Sequence, residues 1–363
     1  MREQVPGSPG RGPEVLLRRP SHVPEKARFP VIDSHNHLFA DMPVEEMTGI
    51  MDAVGVRIFV NVTGNCAMPF DYKGYTIKRR DLDEYETHWM KKKPGRFAAF
   101  TMSEFARWDD FTLELDAGFT DLCIATLEAE VRQGALGLKV TKELGLRFHT
   151  PDGALVAVDD RRLYPVWKRA GDLGIPVLIH TSDPVGFFLP LDERNEHLPT
   201  LLAYPGWSFH GSHFSKVDLL EQRTRMIYDH PGTTFICPHV ANNPEDLDWV
   251  ASLLEACSNV CIDFSARMDE LGRQPYSSRD FFIRFQDRIL FGSDMPISTE
   301  MYRAYFRFLE SRDEYFDYPG YMGESTNVTR WKIYGLYLPD EALEKIYFRN
   351  ALRVVPGLKG LWT

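Results

Sequence analysis

The chain has 363 residues, 44% of them apolar, and a formal charge of −10. That length excludes a mini-protein stapled by disulfides and leaves enough core for one large barrel or two ordinary domains. The acidic balance, with Lys and Arg dispersed, argues against a nucleic-acid partner, because phosphate contacts need a clustered basic surface.

Residues 1–29 carry Pro6, Pro9, Pro13, Pro20 and Pro24 among scattered Arg, which predicts a flexible, extended tail rather than the apolar core of a signal peptide. No run of eighteen apolar residues follows, so no membrane partner is expected. The five cysteines, Cys66, Cys123, Cys237, Cys257 and Cys261, are odd in number and lack C-x-x-C spacing. They read as buried small hydrophobes in a reducing, cytoplasmic setting.

From residue 30 one theme recurs: a short apolar run ending in polar residues, a loop, then a segment with helical spacing. The runs are VIDSHNHLF at 31, RIFVNVTG at 57, RFAAFTMS at 96, ALGLKV at 135, IPVLIHTS at 175, TTFICPHV at 233, NVCIDFSA at 259 and RILFGSD at 288. Val44, Met47, Met51 and Val54, closed by Gly55, make one helical stripe; Leu163, Val166, Trp167, Ala170 and Leu173, closed by Gly174, make another. After Asn243 as N-cap and Pro244 at the first helical position, Leu247, Val250, Ala251 and Leu254 make a third. Near-continuous apolar strands alternating with helices, with no G-x-G-x-x-G after the first strand, predict a (β/α)8 TIM barrel over residues 30–363 rather than an open doubly wound sheet.

In such a barrel the active site gathers at the C-terminal ends of the strands. His35 and His37 close the first strand, Lys139 the fourth, His180 the fifth, His239 the sixth and Asp294 the eighth. By strand alternation Asp33, His35 and His37 share a face. Imidazole and carboxylate suit Zn²⁺ or a similar divalent ion, and His35, His37, His180 and Asp294 could hold one with a position left open. Asp33 could orient a ligand histidine from behind, and Asp263 and Arg267 lie at the same mouth, as a rim ion pair or with the guanidinium meeting a substrate anion.

HNH after the first strand, IHTSD at the fifth, CPHVANN at the sixth and FGSDMP at the eighth resemble the amidohydrolase superfamily. The likeness is greatest to its amidohydrolase-related branch of TIM-barrel hydrolases and non-oxidative decarboxylases. It runs over about residues 30 to 356 and includes the closing KIYFRNALRVV. The resemblance implies His35, His37, His180 and Asp294 as ligands of one divalent metal, Zn²⁺ first and Mn²⁺ as the alternative, with His239 as acid/base. Lys139 stands where the binuclear branch carries a carbamylated lysine bridging a second metal; a substrate contact or a salt bridge with Glu143 are the other readings, and one metal is favoured over two. A homodimer is expected from the same resemblance.

Residues 181–232 separate strands five and six by more than a standard crossover, and a connection that long is usually functional. Phe187, Phe188, Trp207 and Phe209, beside Arg194, predict a lid of about residues 181–215 over a small-molecule substrate, with an oligomer contact as the competing role. Lys139, Arg194, Phe187, Trp207 and Arg267 are the expected substrate contacts, and the excursion after strand two, GNCAMPFDYKGY, is expected to shape the pocket with its near part. The expected chemistry is attack by an acidified water on an amide, ester or lactone, with Asp294 taking a proton and His239 serving the polarised oxygen or leaving group. The alternative is decarboxylation of a small aromatic or unsaturated acid by the same residues.

Overall fold

A computed structural model describes residues 16–39, 42–71, 74–107, 117–150, 152–318 and 331–362. All eight expected strands form: β1 (Val31–Asn36), β2 (Val56–Asn61), β3 (Phe97–Ala99), β4 (Leu138–Val140), β5 (Val177–Ile179), β6 (Phe235–Cys237), β7 (Val260–Asp263) and β8 (Ile289–Leu290). Every neighbouring pair among them is parallel, in one ladder β1-β2-β3 and a second ladder from β4 to β8.

Backbone hydrogen bonds cross both seams between the ladders. Thr101 bridges Leu138, and the Lys139 amide donates to the Thr101 carbonyl at 2.7 Å. On the other side the Ser34 amide donates to Phe291 O at 2.9 Å, and the Asp294 amide to His35 O at 2.9 Å. The architecture is a (β/α)8 TIM barrel.

The core has two layers. Inside the strands lie Ile32, Ile58, Val60, Ala98, Phe100, Leu178, Ile236, Cys261 and Leu290, and the barrel floor is plugged by Ala351, Val354, Val355 and Leu358 near the C-terminus. Outside them a larger apolar layer joins strands to helices, Phe59, Trp167, Phe235 and Phe291 among it. The interior leaves no room for side chains at Gly137, where a Cβ would stand 2.4 Å from the Phe100 ring.

The helical expectations hold with one correction. Val44–Val54 ends at Gly55 in the left-handed region at φ 87°, and Gly174 follows the helix Tyr164–Asp172 in the same way at φ 68°. The third helix runs Leu247–Ala256, and its cap is Asp246, whose side chain accepts from the Trp249 amide, rather than Asn243. Asn242 lies in the left-handed region and Asn243 in a turn, so the helix cannot start until that turn is complete.

Of the expected N-terminal tail, residues 1–15 lie outside the described part. Residues 16–29 are extended and mostly exposed, yet tied down: the His22 amide donates to Asp313 Oδ2 at 2.7 Å, the Arg28 amide to Glu310 Oε1 at 3.0 Å and the Ala27 amide to Val54 O at 3.0 Å. The β5-to-β6 connection carries a short helix, Leu198–Ala203, and a small cluster of Phe187, Leu201 and Phe209 packed with Phe188 and Trp207. No described helix is long and apolar enough to cross a membrane.

Candidate metal and substrate site

The strands deliver their polar residues by simple periodicity where they stay regular. Leu178, Cys261 and Gly137 face the barrel interior, so His180, Asp263 and Lys139, two residues on, face the same way one layer higher. His239 and Asp294 are placed differently, by residues in the left-handed region at φ 57° and 47°. Such backbone is costly for a non-glycine residue and concentrates at functional sites.

Three donors converge: His35, His37 and Asp294 each offer an atom within 4.8 Å of the other two, and this is the one such group among the described residues. His37 Nε2 stands 3.3 Å from Asp294 Oδ1, and His35 Nε2 stands 4.0 Å from Asp294 Oδ2. The tautomers suit ligation. Asp263 Oδ2 accepts from His35 Nδ1 at 2.8 Å. The Thr63 hydroxyl donates to Asn61 Oδ1 at 3.2 Å and so accepts from His37 Nδ1 at 2.9 Å. Both Nε2 atoms are left as acceptors, as a metal-binding imidazole requires, that of His37 in the pocket wall and that of His35 toward Lys139.

His239 lies against this group, with Nε2 3.5 Å from Asp294 Oδ2 and Nδ1 donating to the Ser265 carbonyl at 2.8 Å. Burial, with His180 and Arg267 nearby, pushes its pKa well below the ordinary histidine value, so the ring is neutral and Nε2 carries a lone pair. It must therefore gain a proton before it can donate one, which refines the expected role. Burial raises the Asp294 carboxyl against the pull of His35 and Lys139. Burial also lowers the Lys139 ammonium to about 8, against Asp294 and Asp263.

Lys139 donates to His35 Nε2 at 3.1 Å. Of the readings open for Lys139, the salt bridge with Glu143 is not the contact seen; the lysine lines the pocket and meets the histidine, a partner none of those readings named. His180 lines the same pocket but is turned: its Nε2–H donates to the Ser182 carbonyl at 3.0 Å and stands 3.4 Å from Asp183 Oδ1. The fourth expected ligand is thus outside the close group. Burial brings its pKa down to about 3, with Asp183 opposing.

The pocket holds about 730 Å³ of empty space, its open mouth included, and its walls carry Phe39, Tyr75, Phe187 and Trp207. Phe187 and Trp207 come from the long connection and stack at 6.3 Å with a 15° interplanar angle; Tyr75 comes from the excursion after β2. Arg267 also lines the pocket.

Arg194 does not. Its side chain is 85% exposed and its guanidinium forks onto Asp192, two residues earlier in the same surface turn, so the local pair holds it away from the barrel mouth. Two other expectations are corrected. Among the described residues Asp33 hydrogen-bonds no histidine; it accepts from the Tyr302 hydroxyl at 2.8 Å and from Ser293, and register shifts along β1 interrupt the alternation that would have aligned it with His35. Asp263 and Arg267 do not pair with each other: Asp263 braces His35, while Arg267 Nη2 donates to Asp183 Oδ1 at 3.2 Å.

The sequence reading missed Thr141, Lys142 and Asp183, which line the pocket beside Arg267. Asp183 follows His180 by three residues inside IHTSD, and that proximity was the available signal.

The amidohydrolase family model matches residues 32–357. Among solved structures the chain is similar to an uncharacterized TIM-barrel protein from Bordetella bronchiseptica, at 17% identity and a TM-score of 0.54 over 91% of this chain and 100% of that one. It is similar to a 2,6-dihydroxybenzoate decarboxylase complexed with 2,6-dihydroxybenzoate, at 16% identity and a TM-score of 0.52 over 90% and 99%. A dihydroxybenzoic acid decarboxylase from Polaromonas sp. JS666, with bound manganese and the inhibitor 2-nitroresorcinol, gives 14% and 0.53 over 90% and 97%. Identities this low show a shared fold. Among curated proteins no sequence matches.

Proposed function

The chain belongs to the amidohydrolase family, and on that premise we propose that it is a metal-dependent hydrolase of an amide, ester or lactone bond in a small organic molecule. The observation that carries this reading is the convergence of His35, His37 and Asp294, with neutral His239 beside them, at the base of an aromatic-walled pocket. His35, His37 and Asp294 would hold a divalent ion, Zn²⁺ before Mn²⁺, with His180 joining only if its ring leaves Ser182. When bound, such an ion supplies Lewis acidity toward a substrate oxygen and acidifies water.

The remaining steps fall to the chain's own side chains. Asp294 Oδ1 faces His37, so Oδ2, facing His239, is the oxygen placed to accept a proton from the attacking water. His239 Nε2, 3.5 Å away, receives that proton, and the resulting imidazolium delivers it to the leaving group. Asp263 and Thr63 keep the two ligand histidines in the required tautomer, and the aromatic walls give the substrate an apolar surface to pack on. The test is turnover of arylesters, lactones and amides by metal-loaded protein, with Asp294→Asn expected to lower kcat by about 100-fold or more at little change in KM. Unchanged kcat in that variant contradicts the assignment.

Cations set among flat aromatic walls favour a second reading, decarboxylation of a small aromatic or unsaturated acid. There Asp294, protonated, would give its proton to the carbon that loses the carboxyl group as carbon dioxide departs. Release of carbon dioxide or bicarbonate from a candidate acid, with no ester cleavage, selects this reading.

A further inference from the structure

We propose that Arg223, buried on the helix Lys216–Tyr228 and outside the walls of the pocket, is a positioning residue for His239: its guanidinium forks onto the left-handed turn that carries that ring. The inference rests on the reading of His239 as the group that relays the proton, and it extends that machinery to a residue outside the pocket.

His239 opens a run of four residues in the left-handed region, His239, Val240, Ala241 and Asn242, at φ 57°, 56°, 52° and 58°. Asparagine bears that backbone readily, but the other three do not, least of all β-branched Val240, so the turn persists only where its surroundings hold it. At its start the His239 amide donates to Asp263 Oδ1 at 3.1 Å. Its last carbonyls are held by two cations of one helix. Arg223 Nη2 donates to Ala241 O at 2.8 Å, and Lys216 Nζ, itself 3.4 Å from Glu245, donates to Asn242 O at 2.7 Å. Arg223 is 0% exposed, and among the described residues its hydrogen bonds go to oxygens of the turn and to no carboxylate. Taking a guanidinium out of water with no carboxylate to meet it is costly, and an apolar side chain would fill the same space without that cost. What the guanidinium supplies, and an apolar side chain could not, is the hold on those oxygens.

The second arm of the fork extends the hold to the neighbouring strand end. Arg223 Nη1 donates to Asn242 Oδ1 at 3.0 Å, and the Thr181 amide donates to the same oxygen at 3.3 Å. With its oxygen fixed on that side, Asn242 turns its Nδ2 to the Ser182 carbonyl at 2.7 Å, the group that His180 Nε2 also meets. One guanidinium thus ties the end of β5 to the turn after β6. In that arrangement His239 keeps Nε2 3.5 Å from Asp294 Oδ2 while Nδ1 donates to Ser265 O. Acceptors on two different residues suit the planar fork of an arginine, and a lysine's single ammonium is a poorer match.

The experiment uses the full chain treated with chelator and isotopically labelled in its histidine ring nitrogens. Long-range proton–nitrogen correlation at constant pH reads the tautomer of His239, and a His239→Gln spectrum assigns the signal. In the parent His239 is expected as the single Nδ1–H form that the Ser265 contact requires. Arg223→Met is expected to lose that single form with the barrel folded, whereas Met226→Ala, a buried truncation on the same helix, is expected to lower the melting temperature and keep it. Arg223→Lys, which cannot fork onto both oxygens, is expected to fall between the parent and Arg223→Met, and it decides the matter where Arg223→Met does not fold. In metal-loaded protein that turns over an ester, lactone or amide, Arg223→Met is expected to lower kcat about 10- to 100-fold with KM within about twofold, because a small misplacement of a reacting group costs that much. A parent without the Nδ1–H form, a folded Arg223→Met or an Arg223→Lys with the parental spectrum, equal loss in Met226→Ala, or an unchanged kcat overturns the proposal. The tautomer is read without turnover, so the positioning claim and the hydrolase reading fail separately.

Discussion

Asp263→Asn should weaken metal binding while leaving the barrel folded. In the parent, Asp263 Oδ1 accepts from the Ser265 amide at 3.0 Å, the Ser265 hydroxyl at 2.6 Å and the His239 amide at 3.1 Å, while Oδ2 accepts from His35 Nδ1 at 2.8 Å. An asparagine has one oxygen for these donors. It satisfies most by keeping the oxygen at the three-donor position, which turns its NH2 toward His35. Two donors then face each other, and the clash is relieved when His35 moves its proton from Nδ1 to Nε2, the atom needed as a ligand. Loss of such a supporting contact lowers metal affinity about 10- to 100-fold, equal to about 1.4–2.7 kcal/mol. In the chelated protein the variant also loses one charge-assisted hydrogen bond, a cost of about 1.5–3 kcal/mol. Both are measurable: metal affinity by chelator competition, stability by urea unfolding of metal-free protein. Parental affinity in a destabilised Asp263→Asn protein would refute the claim that Asp263 sets the His35 tautomer.

Three other outcomes follow from particular contacts. In Gly292→Ala the new Cβ would stand 2.7 Å from His35 Cβ, so metal content and melting temperature should fall together, the latter by the equivalent of about 1–3 kcal/mol of overpacking. Glu270 is fully buried, and burial together with neighbouring Asp269 raises its carboxyl well above the ordinary 4.5, against Arg267 and His197. A raised acid binds its proton more tightly when folded, so its stabilisation is complete below about pH 4.5 and is lost as pH rises through the folded-state value. The parent's melting temperature should therefore drop more between pH 5 and 8 than that of Glu270→Gln; parallel curves would refute the assignment. Arg194→Ala should leave kcat and KM within about twofold of the parent, as an exposed local ion pair predicts, and a larger loss would return Arg194 to the substrate site.

The strands and the His35, His37 and Asp294 cluster were legible because each depends on local pattern: apolar runs of strand length, and polar residues where those runs end. His180 was placed correctly on its strand, but its ring direction depends on a carbonyl two residues on and an acid three residues on, which no periodicity encodes. Asp33 was misread because the register shifts in β1 lie in its pairing with β2, not in its own residues. The pairing of Lys142 and Arg267 through Asp183 joins three separate strand-end loops, and only the folded barrel brings them together. Arg194 shows the opposite error: an arginine in a long loop near the mouth was assigned to substrate, while Asp192 two residues away offered a local partner.

The central claim is that His35, His37 and Asp294 form the centre of a single divalent metal, and metal analysis of chelator-free protein beside a His35→Ala/His37→Ala variant tests it most directly. About one equivalent in the parent and none in the variant is the expected result. Equal metal in both proteins, or none in either, would contradict it.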